Sequence, residues 1–397
     1  MPDPIPAFQL EARIKRELRA HLKCLGFTRN SDGGLVIPDE SKATFRQLHS
    51  SQRLNKLQAS EKLFAYGRDH LLKYFANGTD IIPALIKPRL ELVASKTKQA
   101  ALFRFATLTW SIPVSSGYGR RLRFLIWDDQ NGKLIGIIGL TDPVFNLKVR
   151  DELIGWNAAR RKDALVHIMD AFAVGAVPPY SGLLGGKLIA ALLRTQEIRD
   201  AFRSKYVDTT GIISGSRKRA SLVSITTSSA LGRSSVYNRL SLNGFKYLSP
   251  IGYTSGWGHF HLPNGLFATL REYLKTNGHH YSGNNRFGDG PNWRLRAIRQ
   301  ALLLLGLHPN LLRHGIKRQV FRCDLADNAD AFLRGDADTA LYTNLAMAAE
   351  VGQLAVDRWM LPRALTRPEF CDWKKDRLLN QITEQSESQC VAEAVAV

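Results

Sequence analysis

Residues 121–140 read RLRFLIWDDQNGKLIGIIGL, and this stretch decides the fold class. It opens on a two-residue alternation, Arg121-Leu122-Arg123-Phe124, and turns wholly apolar through Trp127, the pattern of a strand entering the covered part of a sheet. Asp128-Asp129-Gln130-Asn131-Gly132 then supplies a hairpin turn, because Asn-Gly readily accepts the positive φ angles that tight turns require. The returning segment, 133–140, sets Gly136 and Gly139 among Ile and Leu. That composition suits a central strand covered on both faces, with glycine where another backbone or a ligand comes close.

Working outward, Thr141-Asp142-Pro143 breaks the strand, Asn157 caps a short helix over 157–165, and 166–177 reads as a third strand. A glycine-rich loop over 178–186 leads into a long helix predicted over 187–206. A strand over 222–227, a helix over 228–242 that starts with serines, a stop at Asn243-Gly244 and a strand over 245–254 complete the series. Upstream, 101–110 is rich in Phe, Thr and Leu and also reads as a strand. Residues 89–275 are thus expected to form a mixed α/β core, and the chain falls in the α+β class.

Before this core, Leu10, Ile14, Leu18 and Leu22 recur every four positions, so 6–25 is an amphipathic helix. A second helical stretch is expected over 39–75, making 1–80 a helical N-terminal domain. Helices over 294–307 and 336–359 make 276–379 a mainly helical C-terminal region, and 380–397 is expected to be a disordered tail.

The chain has 397 residues and a formal charge of +20, from 55 Lys and Arg against 35 Asp and Glu. Residues 380–397 hold no Lys or Arg, so the basic excess lies in the folded part. Such an excess favours polyanions, because each phosphate neutralised releases condensed counterions. The alternative partner is an acidic protein subunit. No apolar run approaches the ~20 residues of a membrane span, and the four cysteines show no Cys-x-x-Cys spacing. A soluble protein of a reducing cytoplasm, with no membrane partner, is the expectation.

The candidate site residues follow from chemistry. Gly182, Gly185, Gly186 and Lys187 sit between a strand and a helix, where unpaired N–H groups and a cation can hold a phosphate, although the spacing matches neither the P-loop nor the dinucleotide fingerprint. Tight packing explains the same glycines equally well. Asp170 lies in an otherwise apolar strand, where an unpaired carboxylate is costly, and is the candidate general base. Tyr237 is the candidate acid, with a core role as its alternative. Arg120, Arg121, Arg217, Lys218, Arg219 and Arg233 are the candidate nucleic-acid contacts. Residues 230–240 also resemble the turn and recognition helix of a helix-turn-helix, but the β-branched residues of 222–229 disfavour the first helix that motif needs. His259, His261, His279 and His280 lack acidic partners at ligand spacing, so no metal is predicted.

Several motifs in unbroken order resemble the protein A family of the Druantia anti-phage defence system (DruA). They are Gly117-Tyr118-Gly119-Arg120-Arg121, Leu140-Thr141-Asp142-Pro143-Val144, Arg150-Asp151 with Ile154-Gly155-Trp156, Gly175-Ala176-Val177-Pro178-Pro179-Tyr180 with Leu184-Gly185-Gly186-Lys187, the run from Thr226 to Arg239, and His314-Gly315 with Arg358-Trp359. The resemblance implies an antiviral defence role beside other Druantia proteins, among them a helicase-like subunit; phage or other nucleic acid is the partner expected from the charge. It implies no particular reaction, so whether the chain is an enzyme stays open. A second resemblance, of 89–275, is to the order of elements in GNAT acyltransferases. It implies a coenzyme A-type ligand at the glycine-rich loop, yet the glycine spacing departs from the GNAT motif and Leu240 stands where that family often has its acid tyrosine. A mobile-element, transposase-associated DNA-binding protein is a third reading.

Overall fold

The computed structural model describes residues 7–210, 215, 217–283 and 291–383. Contacts divide the chain into two compact units, Met1–Asn55 with Thr254–Arg318 and Lys56–Tyr253 with Gln319–Val397. The sequence suggests boundaries near 80, 275 and 379. These units are discontinuous in sequence, since the helix Ala7–Cys24 packs on the helix Asn264–Thr276, far away in the chain.

In the smaller unit, Leu10, Ile14, Leu18 and Leu22 all turn inward from the first helix, as their spacing predicts. The core of this unit also holds histidines. His49 stacks on Phe260 with ring centroids 4.2 Å apart, and His314 meets the same ring edge-on at 4.7 Å. Burial pulls the imidazoles of His49 and His261 down to about 4 and that of His314 to about 2. They are neutral packing groups, tied by hydrogen bonds to backbone: His49 Nδ1 to Phe45 O and His261 Nε2 to Leu311 O.

The larger unit is built on a seven-stranded mixed sheet. Its strands in chain order are β1 (Pro88–Leu92), β2 (Arg121–Asp128), β3 (Lys133–Thr141), β4 (Ile168–Ala176), β5 (Ser224–Ser228), β6 (Ser249–Tyr253) and β7 (Gln319–Asp324). The spatial order is β6-β7-β5-β4-β3-β2-β1, with every pair antiparallel except β4 and β5. The β2–β3 hairpin forms as its sequence predicts, with Gly132 at φ +67°. Asp128 fastens it: its carboxylate accepts from the N–H groups of Lys87 and Gln130 and from the Tyr180 hydroxyl at 2.8 Å. Both strand glycines are close approaches. A Cβ on Gly136 would lie 2.3 Å from Gly175 O, and one on Gly139 2.6 Å from the Phe172 ring.

Five expected elements differ, the first being the strand over 245–254, which is two: Phe245–Lys246, paired with Ser241–Leu242, and β6. Residues 101–107 belong to a helix, Lys98–Thr107, not a strand, and 108–110 form the turn after it, because Thr97 accepts a capping bond from Ala100 N–H and the helix packs its apolar residues inward. The helix expected over 187–206 is two, Gly185–Ala191 and Gln196–Tyr206. Between them the buried Arg194 donates to Asp324 O and Asn344 O, and Gln196 N–H donates to Ala346 O, so tertiary contacts redirect the chain. Residues 229–242 hold a 3-10 turn, Tyr237–Arg239, and a short strand, Ser241–Leu242, in place of a helix, with Asn238 drawn into bonds with Gln319 and Ser234 O. With 222–229 extended or in β5, no helix-turn-helix is present there. Within 336–359 the α-helix begins only at Ala348–Ala355, since Thr343 and Asn344 bond to Asp327. Of the expected disordered tail, residues 384–397 lie outside the described residues.

Candidate nucleic-acid interface

Asp170 sits on β4 between Thr141 of β3 and Thr226 of β5, in the last parallel pair that β4 and β5 make. Thr226 Oγ1 donates to its carboxylate at 2.8 Å. Burial raises this carboxyl to about 6, partly offset by the Thr226 bond and by the Arg150 guanidinium. Arg150 itself is fully buried and spends its donors on Asp151, Val144 O and Phe145 O. Tyr237, the other catalytic candidate, packs edge-on against Phe321 with centroids 5.2 Å apart, and burial pushes its phenol up to about 12. Among the described residues no hydrogen bond or ring contact joins Tyr237 to Asp170.

The glycine-rich loop is internally bonded. The N–H groups of Gly182, Leu183, Gly185 and Lys187 donate to Pro179 O, Tyr180 O, Tyr180 O and Leu184 O. A Cβ on Gly185 would lie 2.6 Å from Tyr180 O, whereas one on Gly186 would meet open space. Lys187 lies over the Trp359 ring at 5.0 Å, and burial, with Arg239 and Arg358 nearby, holds its pKa below the ordinary lysine value.

The basic candidates separate into two groups. Arg120 is an internal strut: its Nε reaches Asp142 at 2.6 Å and its other nitrogens donate to Val166 O and Ile168 O. Gly119, at φ +62°, lets the chain pass so close to Asp142 that any Cβ there would clash with it. Arg233 is exposed on the loop after β5, apart from the rest. Arg121, Arg217 and Arg219 lie beside one helix. Lys205 Nζ and the Tyr206 hydroxyl, from Gln196–Tyr206, both donate to Arg121 O. A two-stranded ribbon then pairs Asp208 with Arg219 and Thr210 with Arg217, and Arg217 also reaches the Asp208 carboxylate at 3.2 Å. Lys218 occupies the middle of the ribbon, and its side chain lies outside the described residues.

Beside the ribbon opens a cleft of about 690 Å³ whose lining includes Arg160, His167, Arg199, Arg203 and Arg219, against one carboxylate, Asp338. Arg199 lies 4.1 Å from the Tyr342 ring centroid. Arg160 is committed to Leu333 O and Phe332 O. Arg203 and Arg219 have no ion-pair partner among the described residues. Arg199, Arg203 and Lys205 escape a sequence reading that looks for runs of adjacent cations, although the i, i+4 spacing of Arg199 and Arg203 sets both on one helix face. Among the described residues no His, Cys, Asp or Glu cluster suits a metal ion, and no helix is long and apolar enough to cross a membrane.

Fold and site together define a mixed α/β protein with a cation-lined cleft beside its central sheet. The family model described as Druantia protein DruA matches residues 39–335, and the chain is 51% identical over 376 residues to a protein of Escherichia coli (strain UMEA 4076-1) named Druantia protein DruA, covering 95% of this chain and 93% of that one. This chain therefore belongs to the DruA family and is a component of the multi-protein Druantia anti-phage defence system. No solved structure matches it.

Proposed function

We propose that this chain binds nucleic acid within the Druantia system through the face formed by Gln196–Tyr206 and the ribbon beside it. One observation carries the reading. Arg203 of the helix and Arg219 of the ribbon line one cleft from separate parts of the sequence, Lys205 follows on the same helix, and none of the three has a carboxylate partner among the described residues. Unpaired cations in one place are what a phosphate backbone requires, and backbone contact depends on charge more than on fine geometry. The chain then acts as a binding or adaptor subunit that presents nucleic acid to a helicase-like partner. Ultraviolet crosslinking of the full chain to DNA and to RNA, followed by peptide mapping, tests the location. Crosslinks within 196–222 support it, and crosslinks confined to other peptides contradict it.

Acyl transfer from a coenzyme A-type carrier is a second reading, favoured by one observation, the elevated carboxyl of Asp170 where β4 and β5 stop pairing. The internal bonding of the Gly182–Lys187 loop counts against it, since four of its N–H groups are already used.

A further inference from the structure

We infer that the cleft beside the ribbon is a nucleoside-phosphate site, distinct from the backbone-tracking face around it. This deepens the nucleic-acid reading and rests on it only where the ligand is a strand end. The volume of about 690 Å³ falls within the ~300–1,000 Å³ usual for small-ligand sites and far exceeds what one inorganic anion fills. Its charge is one-sided. Arg203 and Arg219 reach the lining without ion-pair partners among the described residues, so two guanidinium forks are available to phosphate oxygens.

A phosphate site needs nothing flat, but this lining has a stack built into it. The Arg199 guanidinium lies on the Tyr342 ring at 4.1 Å, and the Tyr342 hydroxyl is tied in turn to Leu222 O. The Arg199 side chain keeps 30% of its surface exposed, with Nη1 also 3.6 Å from the Asp200 carboxylate, so the stack is uncovered in part. A planar cation supported in this way is a platform for a base. Asp338 is the single carboxylate of the lining, able to accept from a ribose hydroxyl or a base amino group. An acidic peptide would use the arginines but leave the platform without a purpose, and would meet Asp338 as a repulsive charge. A nucleoside phosphate uses all three features.

Such a ligand comes free or as the phosphorylated end of a strand. The test uses the full chain, calorimetry with adenosine 5′-monophosphate and guanosine 5′-monophosphate, and anisotropy of a short fluorescent single strand bearing or lacking a terminal phosphate. Ala340→Trp fills the cleft without changing charge, and Arg219→Gln, at an exposed position, serves if the first variant does not fold. The expected result is nucleotide binding by the parent that falls about tenfold or more, at least ~1.4 kcal/mol, in either variant, while binding of blunt unphosphorylated duplex to Ala340→Trp stays unchanged. Displacement of the phosphorylated strand alone by the mononucleotide identifies the strand end as the source; binding of the mononucleotide with no strand discrimination identifies the free nucleotide. No mononucleotide binding together with equal affinity for both strands overturns the inference, as does a glutamate-rich peptide binding where nucleotides do not. Nucleotide binding without any binding of longer DNA or RNA upholds the cleft and refutes the interface reading instead.

Discussion

Arg120 and Arg121 are neighbours with opposite physical situations. Arg120 makes charge-assisted bonds to Asp142 and to two carbonyls while largely buried, so Arg120→Ala strands a partly buried carboxylate. We predict a loss of about 2–4 kcal/mol in urea unfolding. Arg121 is exposed at the start of β2, and Arg121→Ala should stay within about 0.5 kcal/mol of the parent. The sequence could not separate the two, because the difference arises from where Val166, Ile168 and Asp142 come to lie. Asp170 was legible as a costly carboxylate in an apolar strand, but its Thr226 partner, 56 residues away, was not. Its folded pKa, about 6, is above the unfolded value near 4. The native state therefore holds the extra proton between those values, and the stability this gives is complete at low pH and lost as pH rises from about 4 through 6. Asp170→Asn should remove that slope and stabilise the chain at pH 7 by about 1–3 kcal/mol, read from chemical denaturation at several pH values.

At the scale of elements, the β2–β3 hairpin was fully legible, since alternation, an Asn-Gly turn and apolar glycine-bearing return all point the same way. The helix Lys98–Thr107 was not, because a short apolar run fits helix and strand alike and the deciding signal was a single cap, Thr97. The break at Arg194 and the missing helix after β5 come from tertiary bonds that no local pattern carries. The glycine-rich loop offers a clean test of packing against ligand binding. Gly185→Ala should cost about 1–3 kcal/mol, because its Cβ would sit 2.6 Å from Tyr180 O, whereas Gly186→Ala faces open space and should be neutral or slightly stabilising. Thermal unfolding of the two variants decides it: equal stability would show that the loop is not held by the packing described. The histidine core of the smaller unit predicts the reverse pH dependence to Asp170. His49 and His261, held down to about 4 against an unfolded value near 6.5, take up protons on unfolding, so that unit loses stability as pH falls from about 6.5 to 4. Hydrogen exchange should show the protection of Ala7–Cys24 falling across this window.

For the molecule as a whole, the charge of +20 was legible from composition, and it pointed to polyanions without saying where they bind. Sequence reading placed Arg121, Arg217 and Arg219 among the candidates but put Arg120 with them, and it passed over Arg199, Arg203 and Lys205, whose proximity depends on how the crossover between β4 and β5 folds back. Membership of the DruA family sets the biological frame, and the proposed nucleic-acid contact rests on the cation-lined face. The most direct measurement is fluorescence anisotropy of DNA and RNA probes across a series of salt concentrations, for the parent and for a triple variant with Arg203, Lys205 and Arg219 replaced by Ala. The account predicts a log–log slope of about −0.9 per duplex phosphate contacted, or about −0.7 on single strands, and a slope shallower by about two to three units in the variant, with base preference unaltered. A parent whose binding ignores salt, or a variant with the parent's slope, would contradict it and would leave the basic surface to an acidic protein partner.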